Sequence, residues 1–119
     1  MLQIETNFIP FRMKLARREP VMLKVTLKNM NETEELVSYD LVLARALSLD
    51  KGGFKSKETV RIGNMTPGQK HEQYFQIFPR PIVQEGEYPL KVKATEHYQS
   101  FNMVKKEYTK QFELKIDEK

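Results

Sequence analysis

The residues best suited to chemistry are two histidines, each beside a glutamate: His71-Glu72 and Glu96-His97. Imidazole nitrogen with carboxylate oxygen is a plausible zinc shell. If both pairs lie on neighbouring strands of one sandwich, the start of one strand and the end of the next share a pole. The four side chains then come within a few side-chain lengths of one another. No short ligand motif pins them, and the competing reading is two exposed histidines on polar strand faces. No metal or other cofactor is expected.

Nucleophilic catalysis needs Ser or Cys with a base and an orienting acid. There is no cysteine, and Ser38, Ser48, Ser56 and Ser100 sit in no nucleophile elbow. No glycine-rich loop opens a helix to cradle phosphate. The expectation is a module that binds and is not an enzyme.

Charge offers a second chemistry. Arg12, Lys14, Arg17 and Arg18 form a basic cluster that could meet phosphate backbone or an acidic partner. Lys91, Lys93, Lys105 and Lys115 fall on outward strand positions, but Glu87, Glu107 and Glu113 interleave with them, so cross-strand pairing accounts for these lysines. The net charge of +4 is modest beside the basic stripe of a nucleic-acid binder. Nucleic-acid binding through Arg12–Arg18 is therefore the weaker alternative to a protein partner.

Aromatic placement offers a third. The segment 70–78 carries Phe75 and Ile77 on one face and Tyr74 and Phe78 on the other. Exposed aromatics mark partner surfaces. With Phe75 and Ile77 inward, Tyr74 and Phe78 form a surface for self-association or a protein partner. Val42, Ala44 and Ala46 could extend it.

The elements that position these residues are strands. Leu2, Ile4, Thr6 and Phe8 alternate with polar residues until Pro10. Phe11–Arg18 reads as a short edge strand or an irregular crossing. In 21–29, Val21, Leu23, Val25 and Leu27 face inward. Residues 36–49 fit one long strand, although Leu43-Ala44-Arg45-Ala46-Leu47 contains good helix formers. Asp50-Lys51-Gly52-Gly53 signals a turn, 58–64 a short strand, and Pro67-Gly68 a type II turn. In 86–95, Gly86 opens a corner and Tyr88, Leu90, Val92 and Ala94 share a face. A tyrosine so placed suits a tyrosine corner. In 103–116, Lys110 shares the face of Tyr108, Phe112, Leu114 and Ile116, which predicts a bulge there or an open edge. The sum is an all-β, immunoglobulin-like sandwich of seven or eight mostly antiparallel strands in one domain, residues 1–119.

Four features carry a family resemblance: Val21-x-Leu-x-Val-x-Leu-Lys-Asn29 after a Glu-Pro turn, a longer third strand, Met65-Thr-Pro-Gly68, and Glu85-Gly-Glu-Tyr-Pro-Leu-Lys-Val92. Together they resemble the CARDB-like group of prokaryotic immunoglobulin-like domains over roughly residues 20–117, and fibronectin type III domains more distantly. The resemblance implies a seven-stranded sandwich, adhesion or protein–protein contact, and no catalytic residues.

The lack of cysteine fits a reducing compartment. No basic leader or apolar run precedes the first strand, and no segment has the length to span a membrane as a helix. The expected location is the cytoplasm, or the extracellular space if the chain is an adhesion module cut from a longer one. Asn31-Glu32-Thr33 and Asn64-Met65-Thr66 match the glycosylation acceptor pattern.

Overall fold

The computed structural model describes residues 1–17 and 19–118. Among these residues nine strands follow in order: β1 (Leu2–Ile9), β2 (Arg12–Lys14), β3 (Val21–Asn29), β4 (Glu35–Leu43), β5 (Leu47–Ser48), β6 (Lys57–Met65), β7 (Lys70–Pro79), β8 (Gly86–His97) and β9 (Val104–Asp117). They form a four-stranded sheet, β1-β3-β7-β5, and a five-stranded sheet, β2-β9-β8-β4-β6. All pairings are antiparallel except β2 with β9. This is an immunoglobulin-like sandwich. The count exceeds seven or eight because β2 and β5, of three and two residues, each form a separate element.

Period-two patterning places the core as expected. Val21, Leu23, Val25 and Leu27 of β3 face Val37, Tyr39 and Leu41 of β4 and Leu90, Val92 and Ala94 of β8; all are buried. Gly86 opens β8 with φ 151°, a backbone region open to glycine and costly to side chains. Two residues later Tyr88 makes the tyrosine corner: its hydroxyl donates to the Gln84 carbonyl at 2.7 Å and accepts from the Gln84 N–H at 3.0 Å.

Residues 36–49 are not one strand. β4 stops at Leu43, and the chain turns through Ala44–Ala46, with the Leu47 N–H donating to the Ala44 carbonyl at 3.0 Å. It then joins the other sheet as β5, beside β7. Crossing there keeps Leu43 and Leu47 in the core from opposite sheets, which continuous pairing along β4 could not do.

Lys110 resolves as an open edge. It faces inward on β9, opposite Val92, and its Nζ reaches the Ile4 carbonyl at 3.4 Å. The register shift lies elsewhere, beside Glu96 and His97.

Candidate functional site

Three turns meet at one pole: 30–34 between β3 and β4, 66–69 between β6 and β7, and 98–103 between β8 and β9. Asn29, fully buried at the end of β3, ties the first two together. Its Nδ2 donates to the carbonyls of Met65 at 2.8 Å and Thr33 at 3.1 Å. Its Oδ1 accepts from the backbone and side-chain nitrogens of Asn31, each at 2.9 Å. Its main chain donates to the Gln69 carbonyl and accepts from the Gly68 N–H. Gly68 has φ 79°, as a Pro-Gly type II turn demands.

Asn31 carries the network to β8. Its Nδ2 donates to Glu96 Oε2 at 2.6 Å, and its Oδ1 accepts from the amino group of Met1. Glu96 is 3% exposed, and the Tyr108 hydroxyl donates to its other oxygen at 3.3 Å. Burial, then the Glu96 charge, raises the Tyr108 phenol above its ordinary range. A second buried carboxylate, Glu35, accepts from Lys105 Nζ at 2.8 Å and from the Thr33 hydroxyl at 3.1 Å. The hydrogen bond to Glu35 holds the Lys105 ammonium above the usual lysine range. Both carboxylates are therefore partnered, as buried charge requires.

Around these ties stand exposed apolar groups. Tyr98 is 59% exposed, and Met30, Met103 and Val104 are about as open. The 98–103 turn closes on itself through Tyr98 N–H to the Met103 carbonyl at 2.9 Å. Phe101 meets the His97 ring edge-on at 5.2 Å, with Arg61 over its other side at 5.0 Å. The pole thus presents aromatic and methionine side chains around a frame in which Asn29 ties 30–34 to 66–69 and Asn31 ties them to the end of β8, while the 98–103 turn closes on itself.

The four candidate ligands His71, Glu72, Glu96 and His97 do not come together. Neighbouring residues on a strand point to opposite faces. His71 therefore points inward and Glu72 outward from β7, while Glu96 points inward and His97 outward from β8. The four side chains are split over three surfaces. Among the described residues no three His, Cys, Asp or Glu side chains come together to hold a metal ion.

One pairing was invisible in the sequence. Ser38 Oγ lies 2.7 Å from His97 Nε2 on the outer face of the five-stranded sheet. Among the described residues the buried His97 Nδ1 atom has no hydrogen-bond partner, so none of their carboxylates orients the ring from behind. The pair therefore lacks the acid that completes a nucleophile–base arrangement.

Two members of the basic cluster share one carboxylate. Arg12 and Lys14 both face Asp117, at 3.4 and 3.6 Å. Arg17 is exposed, and Arg18 lies outside the described residues. The aromatic surface takes the register with Phe75 and Ile77 inward. Tyr74 is exposed beside Lys24, whose Nζ is 5.9 Å from the ring, and Phe78 is half-buried opposite Ser48. Val42, Ala44 and Ala46 do not extend this surface. Val42 belongs to the other sheet's outer face and Ala46 is buried, because the chain crosses between sheets there.

Asn31 is also a poor glycosylation acceptor, since its Nδ2 is already bonded to Asn29 and Glu96. The ties made by Asn29 and Asn31 have no counterpart among the candidate residues of the sequence. Their signal was the Asn-x-Asn pair closing an alternating strand.

No family model matches the chain, and no curated protein matches it. Solved structures do. A fragment of Escherichia coli alpha-2-macroglobulin running from domain MG7 to the C-terminus superposes with a TM-score of 0.70 at 15% identity, over 99% of this chain and 17% of that one. The CARDB domain of the PF1109 protein from Pyrococcus furiosus, solved with di-metal ions, gives 0.63 at 16% identity, over 98% and 88%. AvmM, which catalyses macrocyclization in alchivemycin A biosynthesis, gives 0.61 at 8% identity, over 96% and 88%. The chain spans between 7% and 17% of the macroglobulin chains it matches. At these identities the likeness is one of fold, and the fold of this chain is the CARDB-like immunoglobulin-like sandwich.

Proposed function

We propose that the chain is a non-enzymatic protein-binding module whose binding face is the pole formed by residues 30–34, 66–69 and 98–103. One observation carries this reading. Asn29, Asn31 and Glu96 tie this pole together while Tyr98, Met30 and Met103 stand exposed on its loops, with Val104 exposed at the start of β9. Loops ordered before binding avoid the entropy cost of ordering upon binding. Aromatic and methionine side chains are the types enriched at interface cores, and methionine adapts its shape to a partner.

The fold alone does not decide against catalysis, since AvmM shares it. The site supports the non-enzymatic reading, because Ser38 and His97 have no orienting acid. The test for catalysis is labelling with a fluorophosphonate probe. No adduct at Ser38 is expected, and a stoichiometric adduct there would overturn this part.

The binding test compares the immobilised chain with a Tyr98→Ser, Met103→Ser double variant in a lysate pull-down. Proteins retained by the parent and lost from the variant are expected, with the melting temperature unchanged. Equal retention by both would remove the loop pole as the binding face.

A further inference from the structure

Sheet edges expose rows of unpaired N–H and C=O groups, and folds defend them with inward charge, bulges, proline or short strands. Three long edges of this sandwich carry such a defence. Lys110 points inward between β1 and β9 and bonds the Ile4 carbonyl, placing one ammonium across both edges. β6 is kinked by a register shift against Val37 and Ser38, beside Gly63 with φ 99°.

From Lys70 to Gln76 the outer edge of β7 carries none of these, its charges being the outward-facing Lys70 and Glu72. It has no proline, no glycine and no bulge, and its inward residues His71, Gln73 and Phe75 include no Lys, Arg, Asp or Glu. β5 begins to cover this edge but pairs only with Phe78 and Pro79. Asp50 ends it: its carboxylate accepts from the Ser48 hydroxyl and from the Phe54 and Lys55 N–H groups, and those bonds hold it below the usual aspartate range. Seven residues, roughly 23 Å of strand, are left without a strand partner on this side among the described residues.

The seam under this edge is polar and unfinished. A cleft of about 300 Å³ is lined by Leu49, Lys55, Glu58, Tyr74, Phe75 and Gln76. Tyr39, 1% exposed, meets Phe75 edge-on at 6.4 Å, and its hydroxyl has no hydrogen-bond partner among the described residues. The His71 Nε2 atom, further along the inner face of β7, is buried and unpartnered too.

We propose that the open edge of β7 pairs antiparallel with β7 of a second copy of this chain, about a two-fold axis at Gln73. This goes beyond the loop-pole reading and uses none of its residues. The edge is complementary to itself in that register. Lys70 falls opposite Gln76, His71 opposite Phe75, and Glu72 opposite Tyr74, so no like charges oppose and all seven residues overlap. Inward residues meet inward ones, which keeps the joined sheet continuous. Shifting the centre to Glu72 would set two carboxylates face to face. The two Gln73 carboxamides, each a donor and an acceptor, sit between His71 and Phe75 on the inward side of β7. Tyr74, 52% exposed, gains a neighbour across the junction.

The absence of cysteine makes a direct test possible. Light scattering of the full chain across micromolar to millimolar concentration is expected to show a rise to twice the 14.1 kDa chain mass. Gln73→Lys, which copies the Lys110 defence, is expected to remain monomeric with an unchanged circular dichroism spectrum. Gln73→Cys is expected to form a disulfide-linked dimer under mild oxidation, since residues paired on the axis lie within bridging distance; Thr109→Cys on β9 is expected not to. A monomer at every concentration overturns the proposal. So does a dimer that survives Gln73→Lys while Gln73→Cys fails to cross-link. If Gln73→Lys does not fold, the cysteine pair decides alone.

Discussion

Asn31 donates its carboxamide N–H to the buried Glu96 carboxylate at 2.6 Å, across 65 positions of chain. This bond joins the β3–β4 turn to the end of β8. With Asn29 behind it, three loops from both sheets become one bonded unit.

Asn29→Ala removes two donors and two acceptor contacts at a fully buried position. The carbonyls of Met65 and Thr33 lose a partner. We expect a loss of about 2–3 kcal/mol in unfolding free energy, since stranding buried polar groups costs more than a hydrogen bond gains. Urea denaturation measures it.

Tyr88→Phe deletes only the corner hydroxyl, leaving the Gln84 N–H and carbonyl to solvent. These groups are exposed, so the expected cost is about 1 kcal/mol. Thermal melting checks this, with no change in strand content by circular dichroism.

Glu113 shares a hydrogen bond with Glu87, and that bond, then the Glu87 charge, raises its carboxyl above the usual glutamate range. The native state therefore favours the proton more than the unfolded chain does. The contribution to stability is full below the ordinary glutamate pKa and is lost as pH rises through the raised value. Glu113→Gln is expected to melt higher than the parent at neutral pH, with the difference vanishing at pH 3.

Lys110→Val is expected to expose the β1 and β9 edges. Nothing then stands between an incoming strand and the Ile4 row. Concentration-dependent oligomers should appear by light scattering, and they should persist when combined with Gln73→Lys, because the two edges lie on opposite sides of the sandwich.

Much of the fold could be read directly from period-two patterning. Alternation places Val21, Leu23, Val25 and Leu27 inward, and Leu90 and Val92 likewise, because it decides which face of a strand is apolar. The corner at Gly86 and Tyr88 and the turn at Pro67-Gly68 were legible because each needs particular residues at fixed spacing. Residues 36–49 misled for the same reason: both halves alternate correctly, and alternation carries no signal for a change of sheet.

The local order of residues thus determined the strands, their inward faces and the turns between them, since these depend on neighbours a few positions apart. Only the tertiary structure decided that Asn31 meets Glu96, that Ser38 meets His97, and that Asp117 meets both Arg12 and Lys14. It also separated the two His-Glu pairs and left β7 open beside the two-residue β5. Such meetings depend on which strands pair and in what register, and that is set by the closing of two sheets over a shared core.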